Sequence, residues 1–521
     1  MTSGPEPGTR AADVRVRVSA GEPATGPAAC EFVRPTDPCA IVILGATGDL
    51  TARKLMPALF NLFRSGGLPE PFLILGAGRS PWSEEEFRER MRASVDPAGA
   101  QAGAWGRFAA AIGYRQVDYA DEASVAAMVA ALHALEDRAG TRGNRMVYLA
   151  LPPALYQTVA VNLGKAGLGK RRRGNGWSRI VLEKPFGSDL ASALELDRRL
   201  RAHFHETQIF RIDHYLAKET VQNVLMFRFA NSIFEPLWNR RYIDHVRIVA
   251  AETIGVEHRA GYYEEAGVLR DMFQNHMLQV LSLIAMEPPP RFEAELVRDE
   301  KAKVFSALRP FPIESIESHL VLGQYGPGRV EGTEVPGYRG EGGVDPASTT
   351  PTYASMKVFI DNWRWQGVPF LMTSGKRLSK KATEIAIQFK EVPHAMFRRT
   401  LGESITANRL KIGVSPEEKI SLTFQTKTPG AAVCLRTVTM DFDYHHDPGG
   451  PVLEAYEKAL LDCMLGDQML FWRQDGVELS WSFLDPVLTA CAACARPGPR
   501  LHPYPAGTDG PPAGLRLVEA P

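Results

Sequence analysis

The chain has 521 residues, enough for two or more domains with large cores. Its 60 Lys and Arg residues equal its 60 Asp and Glu residues, so no overall charge favours nucleic acid or an anionic membrane. The first 40 residues contain no apolar run of signal-peptide length, no later stretch reaches the length of a membrane span, and six cysteines are too few for a disulfide framework. We therefore expect a reduced, cytoplasmic protein that binds neither nucleic acid nor membrane.

The first half of the chain predicts a nucleotide-binding architecture. Residues 1–38 are rich in Pro and Gly and predict a disordered arm. In residues 39–212 short apolar strands alternate with helical segments, which predicts a Rossmann-like, doubly wound parallel sheet of the α/β class. The predicted strands are Ala40 to Leu44, Phe72 to Leu75, Tyr114 to Val117, Met146 to Leu151, Arg179 to Leu182 and Gln208 to Ile212.

The pattern changes in residues 213–496, where we expect an α+β domain. Helical stretches come first, at Lys218 to Ala230 and Val268 to Met286. Alternating runs then predict a large, mostly antiparallel sheet with helices on one face. These runs are Tyr353 to Asp361, Glu384 to Phe389, Arg409 to Val414, Ile420 to Phe424 and Ala432 to Asp443. Residues 497–521 are again rich in Pro and Gly and predict an irregular tail.

Two short motifs have simple explanations. Cys491-Ala492-Ala493-Cys494 has a redox or half-zinc spacing, but no second cysteine pair follows, so structural cysteines are favoured and no metal site is predicted. The basic run from Lys170 to Arg173 lies in a Gly-rich connection, where a solvated loop is favoured over a nucleic-acid patch.

A glycine turn follows the first predicted strand. Gly45 allows a tight turn, Gly48 allows close approach of the backbone to a ligand, and the helix that follows presents free amide groups to a diphosphate. A plain strand-to-helix turn can use the same glycines. The candidate dinucleotide-binding residues in this turn are Gly45, Thr47, Gly48, Asp49 and Leu50.

The end of the second strand favours NADP over NAD. NAD enzymes carry an acidic residue there for the ribose hydroxyl, whereas Arg79 suits a 2′-phosphate, with Arg53 and Lys54 adding charge. The alternative is a surface arginine. Later strand ends supply Lys184, which is placed to bridge nicotinamide and substrate, and three further candidates, Asp118, Tyr119 and Tyr156.

A dense polar cluster lies where the sixth strand meets a helix. His214, Tyr215 and Lys218 offer the donors that a phosphate ester needs, whereas Asp213 would repel a phosphate and suits the orientation of a base. His276 lies within the apolar stripe of the helix Val268 to Met286, where a core histidine is the simpler reading. With Asp213 as its partner, His276 becomes a candidate general base.

Four segments, taken in order, resemble the glucose-6-phosphate dehydrogenase family. They are Gly45 to Leu50, Glu183 to Gly187, Arg211 to Glu219 and Arg270 to His276. The resemblance continues through shorter motifs and covers roughly residues 40 to 497. Those motifs are Arg298 to Lys301, Gly323 to Tyr325, Asn362 to Trp365, Gly367 to Phe370, Gly375 to Lys376 and Glu454 to Glu457.

The resemblance implies an NADP-dependent enzyme, with NAD as a secondary cofactor and no metal, that oxidises glucose 6-phosphate at C1 to the 6-phosphogluconolactone. It implies that His276 is the base, that Asp213 is its partner, and that the protein is a homodimer or homotetramer. The substrate residues that it implies are Lys184, His214, Tyr215, Lys218, Glu252, Asp271, Lys376 and Lys381. The cofactor residues include Arg79, Asp118, Tyr119, Tyr156 and Lys184.

The chain departs from the family pattern in two places. Ala217 replaces the glycine usual before the phosphate lysine, which predicts altered affinity and not loss of binding. Thr373, Ala382 and Ala386 stand where animal members carry basic residues for a second NADP, so no second site is predicted. Two alternatives stay open: a dehydrogenase resembling glucose-fructose oxidoreductase, and a non-catalytic NADP sensor on the same scaffold.

Overall fold

The computed structural model describes residues 37–95, 101–170, 176–394, 396, 405–430, 434–443, 453–492 and 500–519. Most of the predicted arm, the basic run after Lys170 and Cys494 lie outside these residues. No helix within them is both long enough and apolar enough to cross a membrane.

In the part of the chain that the structure describes, the first sheet has six parallel strands. They are β1 (Cys39–Leu44), β2 (Phe72–Gly78), β3 (Ile112–Gln116), β4 (Arg145–Leu149), β5 (Ser178–Leu182) and β6 (Ile209–Arg211), in the spatial order β3-β2-β1-β4-β5-β6. The order reverses between β1 and β4, so the sheet is doubly wound as predicted. Since β1 is buried along its whole length, helices cover both faces of the sheet.

Helices connect these strands. They are α1 (Met56–Ser65), α2 (Glu84–Val95), α3 (Ala102–Ala109), α4 (Glu122–Ala139), α5 (Tyr156–Lys165) and α6 (Leu190–Arg201), and a π-helical segment, Thr51–Leu55, leads into α1. Asp121 starts α4 by accepting backbone hydrogen bonds from Ala123 and Ser124, which satisfies free amides of the first turn.

Among the described residues the second sheet has nine strands, and neighbours are antiparallel except for β7–β12 and β8–β17. The predicted large, mostly antiparallel sheet is therefore confirmed. The strands are β7 (Ile243–Ala251), β8 (Leu320–Gly326), β11 (Tyr353–Val358), β12 (Phe370–Gly375), β13 (Ala382–Phe389), β14 (Arg409–Ser415), β15 (Lys419–Lys427), β16 (Leu435–Asp443) and β17 (Leu501–Pro505). A separate hairpin holds β9 (Gly328–Val330) and β10 (Thr333–Val335).

The helices after β6 frame the site described below. They are α7 (Glu219–Phe229), α8 (Ala260–Val268), α9 (Leu278–Ala285), α10 (Ala294–Ser306), α11 (Ala455–Leu465), α12 (Gln474–Ala492) and α13 (Pro512–Glu519), with a π-helical segment at Leu269–Met277 between α8 and α9.

The expectation of an irregular tail after residue 497 is wrong. Within the described residues, Leu501–Pro505 pairs with β8 and α13 packs on β8 and β11. The two prolines of this segment, Pro503 and Pro505, are compatible with a strand because β17 lies at the edge of the sheet, where one side of the strand needs no backbone donors.

The chain returns to the first sheet near its end. Arg179 of β5 donates to the carbonyl oxygens of Cys463 and Met464, and Trp472 pairs with Arg211 at the end of β6. Apolar side chains of α11 join the cluster that covers one face of the first sheet. The returning segment therefore packs beside the end of β6, directly before the polar cluster.

Candidate active site

The turn after β6 places the polar cluster at the carboxyl edge of the first sheet. The Ile212 amide still donates to Leu182 of β5, so the sheet holds the backbone directly before Asp213. Asp213 Oδ1 accepts the Tyr215 amide at 3.0 Å, which closes the turn. Because ligands bind at the carboxyl ends of parallel strands, this turn is a favourable place for a site.

His276 comes from a different part of the fold. The predicted helix Val268 to Met286 is divided: a π-helical segment covers Leu269–Met277, and α9 continues from Leu278. Gly267, with φ of +57°, separates this segment from the preceding turn of α8. A π-helix has wider hydrogen-bonded rings than an α-helix and occurs often at functional sites. Here it carries both Asp271 and His276 into the interior.

Asp213 and His276 form a buried hydrogen-bonded pair. Nδ1 of His276 lies 2.5 Å from Oδ1 of Asp213, and both side chains are almost fully buried. Burial raises the pKa of the Asp213 carboxyl, but the interaction with His276 outweighs it and holds that pKa well below its usual range. Burial lowers the pKa of His276, an effect that Asp213 partly offsets. The imidazole is therefore neutral near pH 7 and able to accept a proton.

Two neighbours hold the His276 ring. Tyr215 stacks on it with ring centroids 4.1 Å apart, and His214 meets it edge-on at 4.7 Å. Lys218 places its ammonium 4.5 Å from the centre of the Tyr215 ring. Burial holds the pKa of His214 well below its ordinary value, and the ammonium groups of Lys184 and Lys218 lower it further, as does His276 when it takes up a proton. His214 is thus a neutral donor beside His276.

Lys184 joins the two parts of the site. Its Nζ atom donates to the Asp271 backbone oxygen at 3.0 Å and to Asp271 Oδ1 at 3.1 Å. Burial raises the pKa of Asp271, but Lys184 and Lys376 outweigh it and lower that pKa below its usual range. An ionised Asp271 therefore fixes the ammonium of the lysine predicted to lie between sugar and nicotinamide.

The second sheet supplies another ion pair. Glu252 follows β7 and Lys376 follows β12, its parallel neighbour, and Lys376 Nζ lies 2.6 Å from Glu252 Oε2.

Burial lowers the pKa of Lys218, and repulsion from Lys381 lowers it further. Two lysine ammonium groups close enough to repel each other form a site that suits a doubly charged anion.

Seven of the predicted substrate and base residues line one cavity of about 190 Å³. They are Lys184, His214, Tyr215, Glu252, Asp271, Lys376 and His276. Lys218 and Lys381 are not among its lining residues; Lys218 lies over the Tyr215 ring, and Lys381 is close enough to Lys218 to lower its pKa. Asp213 lies behind His276, out of the cavity, as a residue that orients a base should.

The sequence interpretation missed three residues of this cavity region. Arg259 and Tyr263 line the cavity, and the Tyr262 hydroxyl donates to Asp271 Oδ1 at 3.3 Å. The run of one arginine and two tyrosines shortly after β7 was the available signal. No periodic pattern marks it, because these residues lie on a short 3₁₀ turn and the start of α8.

The glycine turn lies at the same edge of the first sheet. Gly45 has φ of +86°, and a Cβ there would approach the Ala150 carbonyl oxygen to 2.1 Å, so this close turn requires glycine. Thr47, Gly48 and Leu50 remain partly accessible or exposed beside the helix start, and exposed Asp49 pairs with Arg53 at 2.7 Å. The turn thus leaves open backbone where a diphosphate would bind.

The other cofactor candidates divide into exposed and buried groups. Arg79 is exposed at the end of β2 and forms no ion pair within the described residues, and Asp118 is exposed after β3. Tyr119 is buried, and its hydroxyl donates to the Ala77 carbonyl oxygen and accepts the Gly45 amide. Tyr156 is buried at the start of α5. Tyr119 therefore supports the glycine turn from behind, and the unpaired Arg79 fits a 2′-phosphate.

Asp213, His214 and His276 also place possible metal-ligand atoms within 4.8 Å of one another. The facing atoms of Asp213 and His276 already share a 2.5 Å hydrogen bond. We interpret the group as a base, its orienting carboxylate and a neighbouring donor.

Comparison with known proteins agrees with this geometry. Residues 42–223 match the family model described as "Glucose-6-phosphate dehydrogenase, NAD binding domain", and residues 225–521 match "Glucose-6-phosphate dehydrogenase, C-terminal domain". The glucose-6-phosphate 1-dehydrogenase of Aggregatibacter actinomycetemcomitans is 48% identical over 92% of this chain and 95% of its own length. The Treponema pallidum enzyme is 44% identical over 92% and 94%.

Solved structures give the same result. A glucose-6-phosphate dehydrogenase in complex with its substrate glucose-6-phosphate superposes with a TM-score of 0.85 at 35% identity, over 94% of this chain and 98% of that one. Glucose-6-phosphate 1-dehydrogenase from Mycobacterium avium has a TM-score of 0.78 at 33% identity, over 93% and 97%. The chain belongs to the glucose-6-phosphate dehydrogenase family.

Proposed function

We propose that this protein oxidises D-glucose 6-phosphate at C1 to 6-phospho-D-glucono-1,5-lactone and reduces NADP⁺ to NADPH, the first step of the oxidative pentose phosphate pathway. The observation that carries the proposal is the buried Asp213–His276 pair behind a cavity lined by lysines, carboxylates and tyrosine. Membership of the family supports it.

His276 is the general base in this proposal. Nδ1 is engaged by Asp213, which leaves Nε2 to accept the proton of the C1 hydroxyl. Asp213 is ionised and buried, so it fixes the tautomer of the ring and stabilises the imidazolium that forms. Tyr215 limits rotation of the ring by stacking against it.

The remaining residues bind and orient the sugar phosphate. Lys218, His214, Tyr215 and Lys381 bind the phosphate, and Lys218 and Lys381 supply its charge complement. Glu252, Asp271 and Lys376 contact the sugar hydroxyls. Lys184 lies between sugar and nicotinamide, held by Asp271.

NADP⁺ fits the carboxyl edge of the first sheet, at the glycine turn and the ends of β2 and β3. The backbone amides of Thr47, Asp49 and Leu50 at the helix start hold its diphosphate, and Arg79 binds the 2′-phosphate. Gly48, whose amide donates to the Gly45 carbonyl oxygen, leaves room for the diphosphate. Asp118 lies beside this edge, while Tyr119 and Tyr156 support it from within the fold. When bound, the cofactor accepts the hydride released from C1. We expect NAD⁺ to serve as a weaker substitute.

An absorbance assay at 340 nm tests the proposal. It measures the rate at which NADP⁺ and NAD⁺ are each reduced in the presence of glucose 6-phosphate, free glucose or another hexose phosphate. We expect rapid reduction of NADP⁺ with glucose 6-phosphate and far slower reduction with glucose. Equal turnover of glucose would contradict the phosphate site and favour the oxidoreductase alternative, and cofactor binding without turnover would favour a sensor.

We also propose that the protein is a cytoplasmic homodimer or homotetramer that assembles through the second sheet. Half-exposed side chains on β15 and apolar side chains such as Met440 and Phe442 on β16, 38% and 43% exposed, support an assembly surface there. Sedimentation velocity measures the mass in solution, and a monomer at micromolar concentration would contradict the proposal.

A further inference from the structure

Lys301 in α10 is a buried charged residue to which the mechanism above assigns no role. It is 3% exposed, and its Nζ atom has no hydrogen-bond partner among the described residues. Lysines are almost never buried without a partner, because an isolated ammonium group is costly to remove from water. A buried, unpartnered ammonium therefore calls for a charge that it balances.

The packing of α10 places the helix face that carries Lys301 near the end of β6. Phe305 lies one turn after Lys301 on the same face of the helix, and its ring stacks on Trp472 at 5.4 Å. The Trp472 amide donates to the Arg211 carbonyl oxygen at 3.0 Å. Arg211 stands two residues before Asp213. This face of α10 is therefore turned to the strand end that carries the orienting carboxylate.

Asp213 also has a buried polar atom without a hydrogen-bond partner, and its charge is opposite to that of Lys301. Its Oδ1 atom accepts hydrogen bonds from His276 and from the Tyr215 amide, whereas its Oδ2 atom is buried without a partner among the described residues. A buried carboxylate oxygen without a donor costs free energy much as a buried ammonium does. One unpartnered anion and one unpartnered cation thus lie in the same region of the core.

The other charges around Lys301 do not replace this pairing. Arg298 on its own helix and Arg473 before α12 repel it, and Asp475 attracts it more weakly than Asp213 does. Burial lowers the pKa of Lys301 to about 7, and Asp213 offsets part of that decrease. Asp213 is thus its strongest attractive partner.

We propose that Lys301 is a positioning residue for the base: its ammonium group faces Oδ2 of Asp213 and keeps that carboxylate ionised and directed at His276. The inference rests on the proposed function, because it concerns the same base. Removing the positive charge lets the buried Asp213–His276 pair take up a proton more readily. His276 would then stay protonated to higher pH, and a protonated imidazole cannot accept the substrate proton.

The test is the pH profile of kcat/KM for Lys301→Met. Methionine has a similar volume, and Asp213 keeps its hydrogen bond with His276, so we expect the variant to fold, with a lower free energy of unfolding because one of two buried opposite charges is removed. Its thermal melting curve checks this, and Lys301→Gln gives a second neutral replacement. Lys303→Met, on the exposed side of the same helix, is the matched control.

We expect the acid limb of the Lys301→Met profile to move to higher pH by about half a pH unit or more. Activity should fall most near pH 6 and return to within about threefold of wild type at pH 9, where the base is unprotonated in both proteins. Lys303→Met should retain the wild-type limb. Acid limbs of both Lys301 variants at the wild-type position would overturn the inference. Lack of turnover by wild type and Lys303→Met would instead contradict the proposed function.

Discussion

Nδ1 of His276 lies 2.5 Å from Oδ1 of Asp213, although 63 positions separate them and they belong to different parts of the fold. Asp213 extends from the carboxyl end of a parallel strand, and His276 from a π-helical segment that packs beside the second sheet. The Asp213–His276 pair, which we propose as the base and its partner, is therefore assembled only when both parts are folded and packed together. Because this packing fixes both backbones, Asp213 can hold the His276 ring in one orientation.

The phosphate site predicts a selective effect on affinity. Lys218→Ala should raise KM for glucose 6-phosphate about tenfold or more, because a hydrogen bond to a charged group is worth about 1.5–3 kcal/mol. It should leave kcat within about threefold, since Lys218 does not touch the base. Steady-state kinetics measures both. Lys165→Ala, on the exposed surface of α5, is the control, and an unchanged KM for Lys218→Ala would rule out its phosphate role.

Arg79 should set the cofactor preference. Arg79→Ala should lower kcat/KM for NADP⁺ about tenfold or more, because a guanidinium–phosphate contact is lost. The kcat/KM for NAD⁺, which has no 2′-phosphate, should stay within about threefold of the wild-type value. The ratio of the two values is the measurement. Arg64→Ala, exposed at the far end of α1, should leave the ratio unchanged. If Arg79→Ala also left it unchanged, another residue would have to hold the 2′-phosphate.

Ala217 should tune affinity without being required. The residue is 5% exposed and its φ is not positive, so the backbone there does not need the glycine usual in the family. Ala217→Gly should therefore change KM for glucose 6-phosphate by less than about fivefold and leave kcat within about twofold. A loss of kcat beyond tenfold would show that the methyl group supports the base.

The buried histidines predict acid sensitivity of the fold. Burial holds the pKa of His214 well below its unfolded value of about 6.5, so the unfolded chain binds more protons in this range. Above about pH 6.5, His214 therefore does not make the free energy of unfolding depend on pH. As the pH falls below that value, protonation of this histidine in the unfolded chain lowers the free energy of unfolding. His214→Asn should lose less stability between pH 6.5 and 5 than wild type. Urea unfolding at several pH values measures this, and equal losses in both proteins would contradict it.

Much of the first domain could be predicted because its signals are local. Each predicted strand from Ala40 to Ile212 overlaps an observed one, and the glycine turn and polar cluster both fall at strand ends. The proposed roles of Lys184 and Arg79 rest on the same rule about strand ends. Asp213 and His276 could be paired only as a hypothesis, because no sequence pattern reports a contact across 63 residues.

Other features could not be predicted, for physical reasons. β8 and the first half of β12 are buried on both faces, so they show no alternation of apolar and polar residues. The π-helical spacing around His276 resembles ordinary helical spacing in a sequence. Pro503 and Pro505 signal irregular structure unless their position at a sheet edge is known.

The most direct test of the account is the kinetics of His276→Asn with glucose 6-phosphate and NADP⁺. Asparagine can keep a polar contact with Asp213 but cannot accept the proton, so kcat should fall about a hundredfold to ten-thousandfold while KM changes little. His205→Asn, at an exposed position, is the control and should keep wild-type turnover. A His276→Asn variant with near wild-type kcat would contradict the assignment of the base and, with it, the role of Asp213.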